Sequence, residues 1–284
     1  MIISVASGKG GTGKTTVATN LAKAVGRNVQ LLDCDVEAPN AHLFMHPSFK
    51  ETETVFTPVP EVDKEMCNHC GKCDEICRYK AIIVVRDIVL TFPELCHSCG
   101  GCIAVCPENA ITEKGRELGI VQKGVCNGID FTHGILRVGE AMSPPLIRKV
   151  RSVTDPQQVT IIDAPPGTSC PVIASMKGAD FILLVAEPTP FGLHDLELAV
   201  GAVKILDIPC GLVINRSDMG DTRVREYAQK EKLPVLMEIP FDRSIAETYS
   251  RGKMMIDAMP AWKEEFIRLF DDIQAMVIGS ERIK

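Results

Sequence analysis

The sequence predicts an α/β protein with a doubly wound, mostly parallel sheet, interrupted once by a small α+β module rich in cysteine. Short runs of Val, Ile and Leu alternate with longer segments of helical spacing, which is typical of a parallel sheet covered by helices on both faces. The alternation stops between residues 58 and 107, where eight of the 12 cysteines lie. We therefore expect a domain formed by residues 1–57 and 108–284, with an inserted domain at residues 58–107.

The order of elements follows from the same patterns. Strands are predicted at residues 2–6, 29–33, 159–163, 181–186, 211–215 and 235–239. Helices are predicted at residues 14–25, 194–206, 223–231 and 261–278. A glycine-rich stretch carries two further short strands, near residues 119–123 and 129–138.

Composition and charge exclude several classes of protein. The 284 residues are 45% hydrophobic, enough for a buried core, and the net charge of -6 argues against nucleic acid as a main partner. The apolar runs are shorter than the roughly 20 residues of a membrane-spanning helix. Residues 264–278 have apolar residues at helical spacing, but acidic residues among them disfavour anchoring on anionic lipid. Without a signal-peptide pattern at the N-terminus, we expect a cytoplasmic protein with no stable membrane insertion.

A glycine-rich loop with two lysines follows the first predicted strand and precedes the first predicted helix. Its residues are Lys9, Gly10, Gly11, Thr12, Gly13, Lys14, Thr15 and Thr16. Backbone N–H groups of such a loop curl around a phosphate, and the helix N-terminus adds partial positive charge. Lys14 is placed to reach the terminal phosphates and the Thr15 hydroxyl to ligate Mg²⁺. The loop predicts a site for ATP or ADP with Mg²⁺.

The extra lysine, Lys9, makes this loop resemble the deviant Walker A family, which includes the MinD, ParA and Mrp ATPases and the nitrogenase iron protein. The resemblance implies ATP hydrolysis, slow without a partner, and a dimer that holds the nucleotide between its subunits. In such a dimer Lys9 reaches the nucleotide of the other subunit. The resemblance leaves open a homodimer or a heterodimer with a paired relative.

Two further segments resemble the switch regions of that family. Asp35, at the end of the second strand, is expected to position or deprotonate the attacking water, and Asn40 to contact the phosphate or the magnesium shell. Asp163 is expected to hold magnesium through water, and Gly167 to sense the terminal phosphate. A helix cap is the alternative role for Asp163.

The adenine side of the site rests on a less specific match. Asn215 fits the position that reads adenine through a side-chain amide, and Pro240 and Phe241 fit a loop that closes over the base. An ordinary turn residue is the alternative reading of Asn215, because asparagine is common in loops.

Eight cysteines repeat one spacing, C-x2-C-x2-C-x3-C, twice. They are Cys67, Cys70, Cys73 and Cys77, then Cys96, Cys99, Cys102 and Cys106. This spacing is typical of bacterial ferredoxins with two 4Fe-4S clusters, in which the fourth cysteine of each run ligates the other cluster. We predict cluster one on Cys67, Cys70, Cys73 and Cys106. Cluster two is then predicted on Cys77, Cys96, Cys99 and Cys102. The alternative, a four-cysteine zinc site, usually has two separated C-x2-C pairs.

Four cysteines lie outside the two runs. Cys34 and Cys210 are interpreted as small buried hydrophobic residues. Cys170 follows Asp163 at an offset similar to that of a cluster-ligating cysteine in the nitrogenase iron protein, so an interfacial cluster is possible there, with Cys126 as a candidate partner.

Taken over nearly the whole chain, the sequence resembles MinD-superfamily ATPases with an inserted ferredoxin domain, typically of anaerobic bacteria and archaea. The first hypothesis is an ATPase that assists assembly or delivery of an iron-sulfur or mixed-metal cofactor, with electrons supplied through its clusters. The second is an ATP-dependent electron donor to a partner enzyme. The third, a positioning ATPase on membrane or nucleoid, is disfavoured by the clusters and the acidic charge. The expected partner is a metallocofactor acceptor or a redox protein.

Overall fold

A sheet of nine strands runs through the computed structural model, which describes residues 1–281. The strands of the chain are β1 (Ile2–Ala6), β2 (Val29–Asp33), β3 (Ser48–Val62), β4 (Ile82–Val85), β5 (Ile88–Thr91), β6 (Ile111–Cys126), β7 (Ile129–Leu136), β8 (Val159–Asp163), β9 (Phe181–Ala186), β10 (Cys210–Asn215) and β11 (Val235–Ile239). The order in the sheet is β11-β10-β9-β1-β8-β2-β7-β6-β3. The first seven strands of that order are mutually parallel, and β6 and β3 are antiparallel additions. The predicted fold class is confirmed.

Helices cover both faces of the sheet. They are α1 (Lys14–Val25), α2 (His42–Met45), α3 (Lys72–Ile76), α4 (Gly101–Ala104), α5 (Pro144–Arg151), α6 (Cys170–Met176), α7 (Pro190–Leu206), α8 (Arg223–Lys230), α9 (Arg243–Ser250), α10 (Met255–Ala258) and α11 (Ala261–Glu281). One core packs α1 and α11 against the sheet, and two others lie beneath α5, α6 and α7. The parallel strands are buried on both faces, which is why they read as unbroken apolar runs.

Helix α7 begins four residues before its predicted start. The Thr189 hydroxyl accepts a hydrogen bond from the Gly192 N–H at 3.0 Å, and Pro190 occupies the first turn. An N-cap threonine followed by proline is a favoured helix start, so the helix extends back to the end of β9.

A long antiparallel ribbon leaves the edge of the sheet. β6 pairs with β7 only from Cys126 to Gly119, but pairs with β3 as far as Ile111 opposite Val62. About eight residues of each strand therefore extend beyond the sheet, roughly 25 Å at the usual rise of a strand. Because Gly119 lies opposite Leu136, the last residue of β7, the ribbon extends on the side of the carboxyl ends of the parallel strands. The sequence did not predict β3, because its first half, residues 48–54, is an exposed and mostly polar segment at the edge of the sheet and its second half contains two prolines.

The cysteine-rich residues 63–110 lie at the far end of this ribbon. They form α3, α4, the β4–β5 hairpin and a 3-10 turn at Pro93–Leu95. The two halves repeat in backbone conformation as well as in sequence. Positive φ angles recur at equivalent positions, at His69 and Ser98, Gly71 and Gly100, and Lys80 and Asn109. The module has an internal pseudo-twofold arrangement.

Candidate functional site

The glycine-rich loop connects β1 to α1 and lines a cavity of about 420 Å³ at the carboxyl edge of the sheet. Gly11 and Gly13 have φ angles of 79° and 95°, which only glycine adopts easily, so the loop can curl before the helix begins. Lys14 is 7% exposed, and its Nζ lies 3.5 Å from the carbonyl oxygen of Lys9. The predicted residues that line the cavity are Gly10, Gly11, Gly13, Lys14, Thr15, Thr16, Asp35, Asn40, Asn215, Pro240 and Phe241.

Asp163 and Asp33 end neighbouring strands but have different surroundings. The Asp33 carboxylate is hydrogen-bonded to the backbone, since it accepts hydrogen bonds from the N–H groups of Asp35, Asn40 and Ala41 at 3.0 to 3.1 Å. Asp163 is 1% exposed, and neither of its oxygens has a hydrogen-bond partner among the described residues. A buried carboxylate without partners is costly, so this one is suited to a ligand such as a cation or its water shell.

Burial shifts the ionisation of the groups around this carboxylate. It raises the pKa of Asp163 to about 7, against the lowering influence of the Thr15 hydroxyl and Lys14. Burial also raises the pKa of Asp35 and lowers that of Lys14. The hydroxyl of Thr15 with the carboxylates of Asp163 and Asp35 forms a set of hard oxygen donors, which fits Mg²⁺ beside a phosphate.

The far wall of the cavity is built by β10 and the loop after β11. The Asn215 side chain donates to the Thr12 carbonyl at 2.8 Å and accepts from the Arg216 N–H at 3.0 Å. Phe241, 49% exposed, is held through its N–H by Asp218 Oδ1 at 2.5 Å. The amide of Asn215 is thus hydrogen-bonded to the glycine-rich loop, and the half-exposed Phe241 ring lines the same cavity.

Four predicted residues do not line this cavity, namely the buried Asp163 described above, Thr12, Gly167 and Lys9. The Thr12 side chain is buried, and the Gly167 N–H donates to the Ser7 carbonyl at 3.0 Å. Lys9 points elsewhere, since its Nζ lies 3.5 Å from Glu187. Glu187 also binds Arg216 at 2.6 Å.

The eight module cysteines surround two separate cavities. One is lined by Cys67, Cys70, Cys73 and Cys106, and the other by Cys77, Cys96, Cys99 and Cys102. Each set takes three cysteines from one half of the internal repeat and one from the other half. All eight are free of disulfides.

Backbone N–H groups point at the sulfurs in a repeated pattern. The Ala81 N–H donates to Cys77 Sγ and the Ala110 N–H to Cys106 Sγ, each at 3.3 Å. Equivalent residues of the two halves therefore make the same bond. Such donors stabilise thiolates, and they tune the potential of any cluster bound to them. Thiolate donors in sets of four, each carried by a short loop, fit an iron-sulfur cluster.

Comparison with known proteins identifies the family. The model of the CobQ/CobB/MinD/ParA nucleotide-binding domain matches residues 3–256. The chain belongs to this MinD/ParA family. It is also similar to an uncharacterised protein of Methanocaldococcus jannaschii, 31% identical over 98% of both chains. Two iron-sulfur cluster carrier proteins match less broadly. That of Aquifex aeolicus is 26% identical over 91% of this chain and 62% of its own, and that of Synechocystis is 42% identical over 24% of this chain and 20% of its own.

Solved structures of the family share the fold. The septum site-determining protein MinD of Pyrococcus horikoshii, in complex with Mg-ADP, has a TM-score of 0.58 at 22% identity, covering 96% of this chain and 95% of the other. No helix within residues 1–281 is long and apolar enough to cross a membrane.

Several residues of this MinD/ParA family protein were missed by sequence reasoning. Arg216 and Tyr249 line the nucleotide cavity. Glu187 accepts a hydrogen bond from the Arg216 side chain, and Asp218 accepts one from the Phe241 N–H. Glu187 directly follows the strand β9, and Arg216 and Asp218 follow β10. Charged residues at the carboxyl ends of parallel strands are the feature that would have indicated these three.

The cysteines outside the module are not brought together. Cys170 is exposed at the start of α6. Cys126 is buried, its thiol donates a hydrogen bond to the Met45 carbonyl, and it lies beside Ile129 at the amino end of β7. Cys126 is therefore not a partner for Cys170 within the chain. Burial raises the pKa of the Cys34 and Cys210 thiols, which agrees with their interpretation as packing residues.

Each cysteine cavity is also lined by one histidine, His69 in the first and His97 in the second. His97 stacks on Tyr79 with ring centroids 3.4 Å apart.

The cysteine sets do not resemble a site for a single metal ion. Among residues 1–281, no three His, Cys, Asp or Glu side chains converge closely enough to hold one such ion. Each cysteine of a cubane cluster binds a different iron, so four such ligands stand further apart than the ligands of one ion.

Proposed function

We propose that this MinD/ParA family protein is an ATPase with two 4Fe-4S clusters in its inserted module, and that it assists assembly or delivery of an iron-sulfur or mixed-metal cofactor. The observation that carries the proposal is the pair of cysteine-lined cavities, each with ligands from both halves of the repeat. The names of the iron-sulfur cluster carrier relatives support the same assignment.

In the proposed hydrolysis, Lys14 and the backbone N–H groups of the loop bind the phosphates of ATP. Asp35 lines the cavity, and its raised pKa favours accepting a proton from the attacking water. Thr15 and Asp163 would hold Mg²⁺, which neutralises charge on the phosphates. Asn215 and Phe241 would hold the adenine.

Lys9 takes part only when two subunits meet. Within one chain it is paired with Glu187, so reaching the nucleotide of a second subunit requires that this ion pair break. A cation supplied by the partner would stabilise charge on the transferring phosphoryl group, as an arginine finger does. Hydrolysis would then be slow in the monomer.

The module would hold cluster one on Cys67, Cys70, Cys73 and Cys106. It would hold cluster two on Cys77, Cys96, Cys99 and Cys102. Bound clusters supply one-electron chemistry, here for a reductive step in assembly of the client cofactor. The chain itself contributes the thiolates, the N–H groups that stabilise them and the ribbon that carries them.

The test uses an acceptor enzyme without its cofactor, supplied with iron and sulfide under anaerobic conditions. We expect its maturation to require both ATP and the dithionite-reduced form of this protein. The Lys14→Ala variant, which loses the phosphate contact, should give no maturation. Equal maturation without ATP, or with the oxidised protein, would contradict the proposal.

A second candidate function is ATP-dependent electron donation to an already complete partner enzyme. It is favoured by the direction of the ribbon, which carries the module on the same side of the sheet as the nucleotide cavity. It predicts that a mature acceptor oxidises the reduced protein only while ATP is hydrolysed. The two candidates thus differ in whether the acceptor must lack its cofactor.

A further inference from the structure

The second cysteine run of the module is attached to the ribbon by side-chain hydrogen bonds. The Ser98 hydroxyl donates to the Pro58 carbonyl at 2.7 Å and lies 2.7 Å from the Thr57 hydroxyl. A serine hydroxyl has a single proton, so Thr57 is the donor to Ser98. The Ser98 N–H also donates to Cys96 Sγ at 3.4 Å. Ser98 thereby joins a predicted cluster ligand to the ribbon.

The equivalent position in the first half of the repeat is His69. Its side chain makes no hydrogen bond to the ribbon within the described part of the chain. The first run joins the ribbon differently: the chain enters it directly from β3, the Cys67 N–H donates to the Asp63 carbonyl at 3.1 Å, and Val62 and Ile111 line the cavity of Cys67 and Cys106. The side-chain contacts of Ser98 are therefore an additional link, specific to the second run.

The ribbon is in turn fixed to the loop that follows β7. Arg116, directly opposite Thr57, forms an ion pair with Glu140 at 2.6 Å, and their side chains are 12% and 0% exposed. By geometry the contact is an ion pair only, because none of the three guanidinium nitrogens of Arg116 and neither carboxylate oxygen of Glu140 forms a hydrogen bond among residues 1–281. Since breaking a buried ion pair leaves an uncompensated charge, the ribbon and the loop are constrained to move together.

A β-bulge lies where the ribbon leaves the sheet. The pairing of β3 with β6 shifts register between Val55 and Phe56, which leaves Leu118 as the extra residue. The Leu118 carbonyl accepts the Arg137 N–H at 3.0 Å. A bulge bends its strand locally, so this is the point at which the ribbon can change direction.

The end of β7 and the loop after it also contact residues 35–40, which we call the first switch. The Leu136 N–H donates to the Val36 carbonyl at 2.8 Å, and the buried Ser143 hydroxyl donates to Glu37 at 3.0 Å. Val36 and Glu37 directly follow Asp35, which lines the nucleotide cavity. A displacement of Asp35 on nucleotide binding would therefore reach Leu136 and Ser143 through direct hydrogen bonds.

We propose that nucleotide occupancy is coupled to cluster two through the first switch, the loop after β7, the ion pair Arg116–Glu140 and the contact of Thr57 with Ser98. Thr57 and Ser98 act as positioning residues for the cluster-two loop. The inference rests on the proposed function, since it requires both ATP and cluster binding. Coupling of this kind is reciprocal and typically changes an equilibrium by about 5-fold to 150-fold.

The test is amide hydrogen exchange of the anaerobically purified, cluster-loaded protein, with and without the ATP analogue AMPPNP and Mg²⁺. We expect AMPPNP to change exchange in residues 95–103 by about fivefold or more. Thr57→Val removes the donor to Ser98 and should abolish the change. Ser98→Gly is the second variant, since glycine adopts the positive φ of Ser98 readily and keeps the N–H bonded to Cys96.

Thr52→Val is the matched control. Thr52 lies on the same strand and its hydroxyl accepts from Gln122 at 3.1 Å, away from the module, so this variant should keep the AMPPNP effect. The coupling through Thr57 and Ser98 is refuted if Thr57→Val and Ser98→Gly respond to AMPPNP as the unmodified protein does. If the protein carries about eight iron atoms per chain and binds AMPPNP normally but shows no difference in exchange, the coupling alone is refuted. Absence of bound iron would overturn the proposed function and the coupling with it.

Discussion

Replacing Asp163 with asparagine should stabilise the nucleotide-free protein at alkaline pH. Burial raises the pKa of Asp163 to about 7 from 3.8. The folded protein therefore holds this proton where the unfolded chain has released it, and the stability due to the protonated form is lost as pH rises from about 4 to about 7. The full difference corresponds to about 4 kcal/mol, at about 1.36 kcal/mol per pH unit.

The asparagine side chain does not titrate, so its own burial cost is the same at every pH. Linkage then predicts that the advantage of Asp163→Asn over the unmodified protein grows by about 2 to 3 kcal/mol between pH 5 and pH 8. The charge of Asp163 also contributes to the raised pKa of Asp33, so its removal acts in the same direction there.

The assay is urea denaturation followed by the fluorescence of Trp262, the single tryptophan, which packs against the core of the ATPase domain. The free energy of unfolding is compared for both proteins at pH 5 and pH 8, without nucleotide. Mg²⁺ with ATP should stabilise the unmodified protein and have a much smaller effect on the variant. The same stability difference at both pH values would refute the reasoning about this buried carboxylate.

Three further predictions concern other parts of the molecule. Gly13→Ala should weaken ATP binding by about tenfold or more in calorimetry, because the added Cβ would overlap Asn215 Nδ2 and alanine is strained at a φ of 95°; unchanged binding would contradict this. Glu187→Gln should free Lys9 and increase the ATP-dependent dimer fraction in analytical ultracentrifugation, whereas an unchanged or smaller fraction would show that the ion pair does not restrain Lys9. Cys106→Ser should remove the cluster of the first cysteine run and spare that of its own run, as seen by paramagnetic resonance after reduction; loss of the second-run cluster alone would disprove the exchanged ligand.

Much of the fold was predictable because its parallel strands are buried on both faces. Runs such as those of β1, β8 and β9 have the same ends in the sequence pattern and in the structure. The ribbon strand β3 was not predictable in the same way. Its first half, residues 48–54, is exposed and mostly polar, and the strand is held by hydrogen bonds to a partner strand far along the chain. Periodicity in one segment contains no information about such pairing.

In the candidate site, too, the local features could be predicted from the sequence and the contacts between distant residues could not. The phosphate loop and the cysteine runs are local patterns, so spacing alone indicated their chemistry. The ion pair of Lys9 with Glu187 and that of Arg116 with Glu140 join residues distant in sequence. Only the sheet order brings such side chains together, and a pattern within one segment does not reveal them.

Iron and acid-labile sulfide analysis of the anaerobically purified protein, together with Mössbauer spectroscopy and AMPPNP binding on the same sample, tests the central claim most directly. We predict about eight iron and about eight sulfide per chain, the Mössbauer spectrum of 4Fe-4S clusters, and binding of AMPPNP with Mg²⁺. Zinc in place of iron, or no metal on a chain that still binds AMPPNP, would contradict the account of the module.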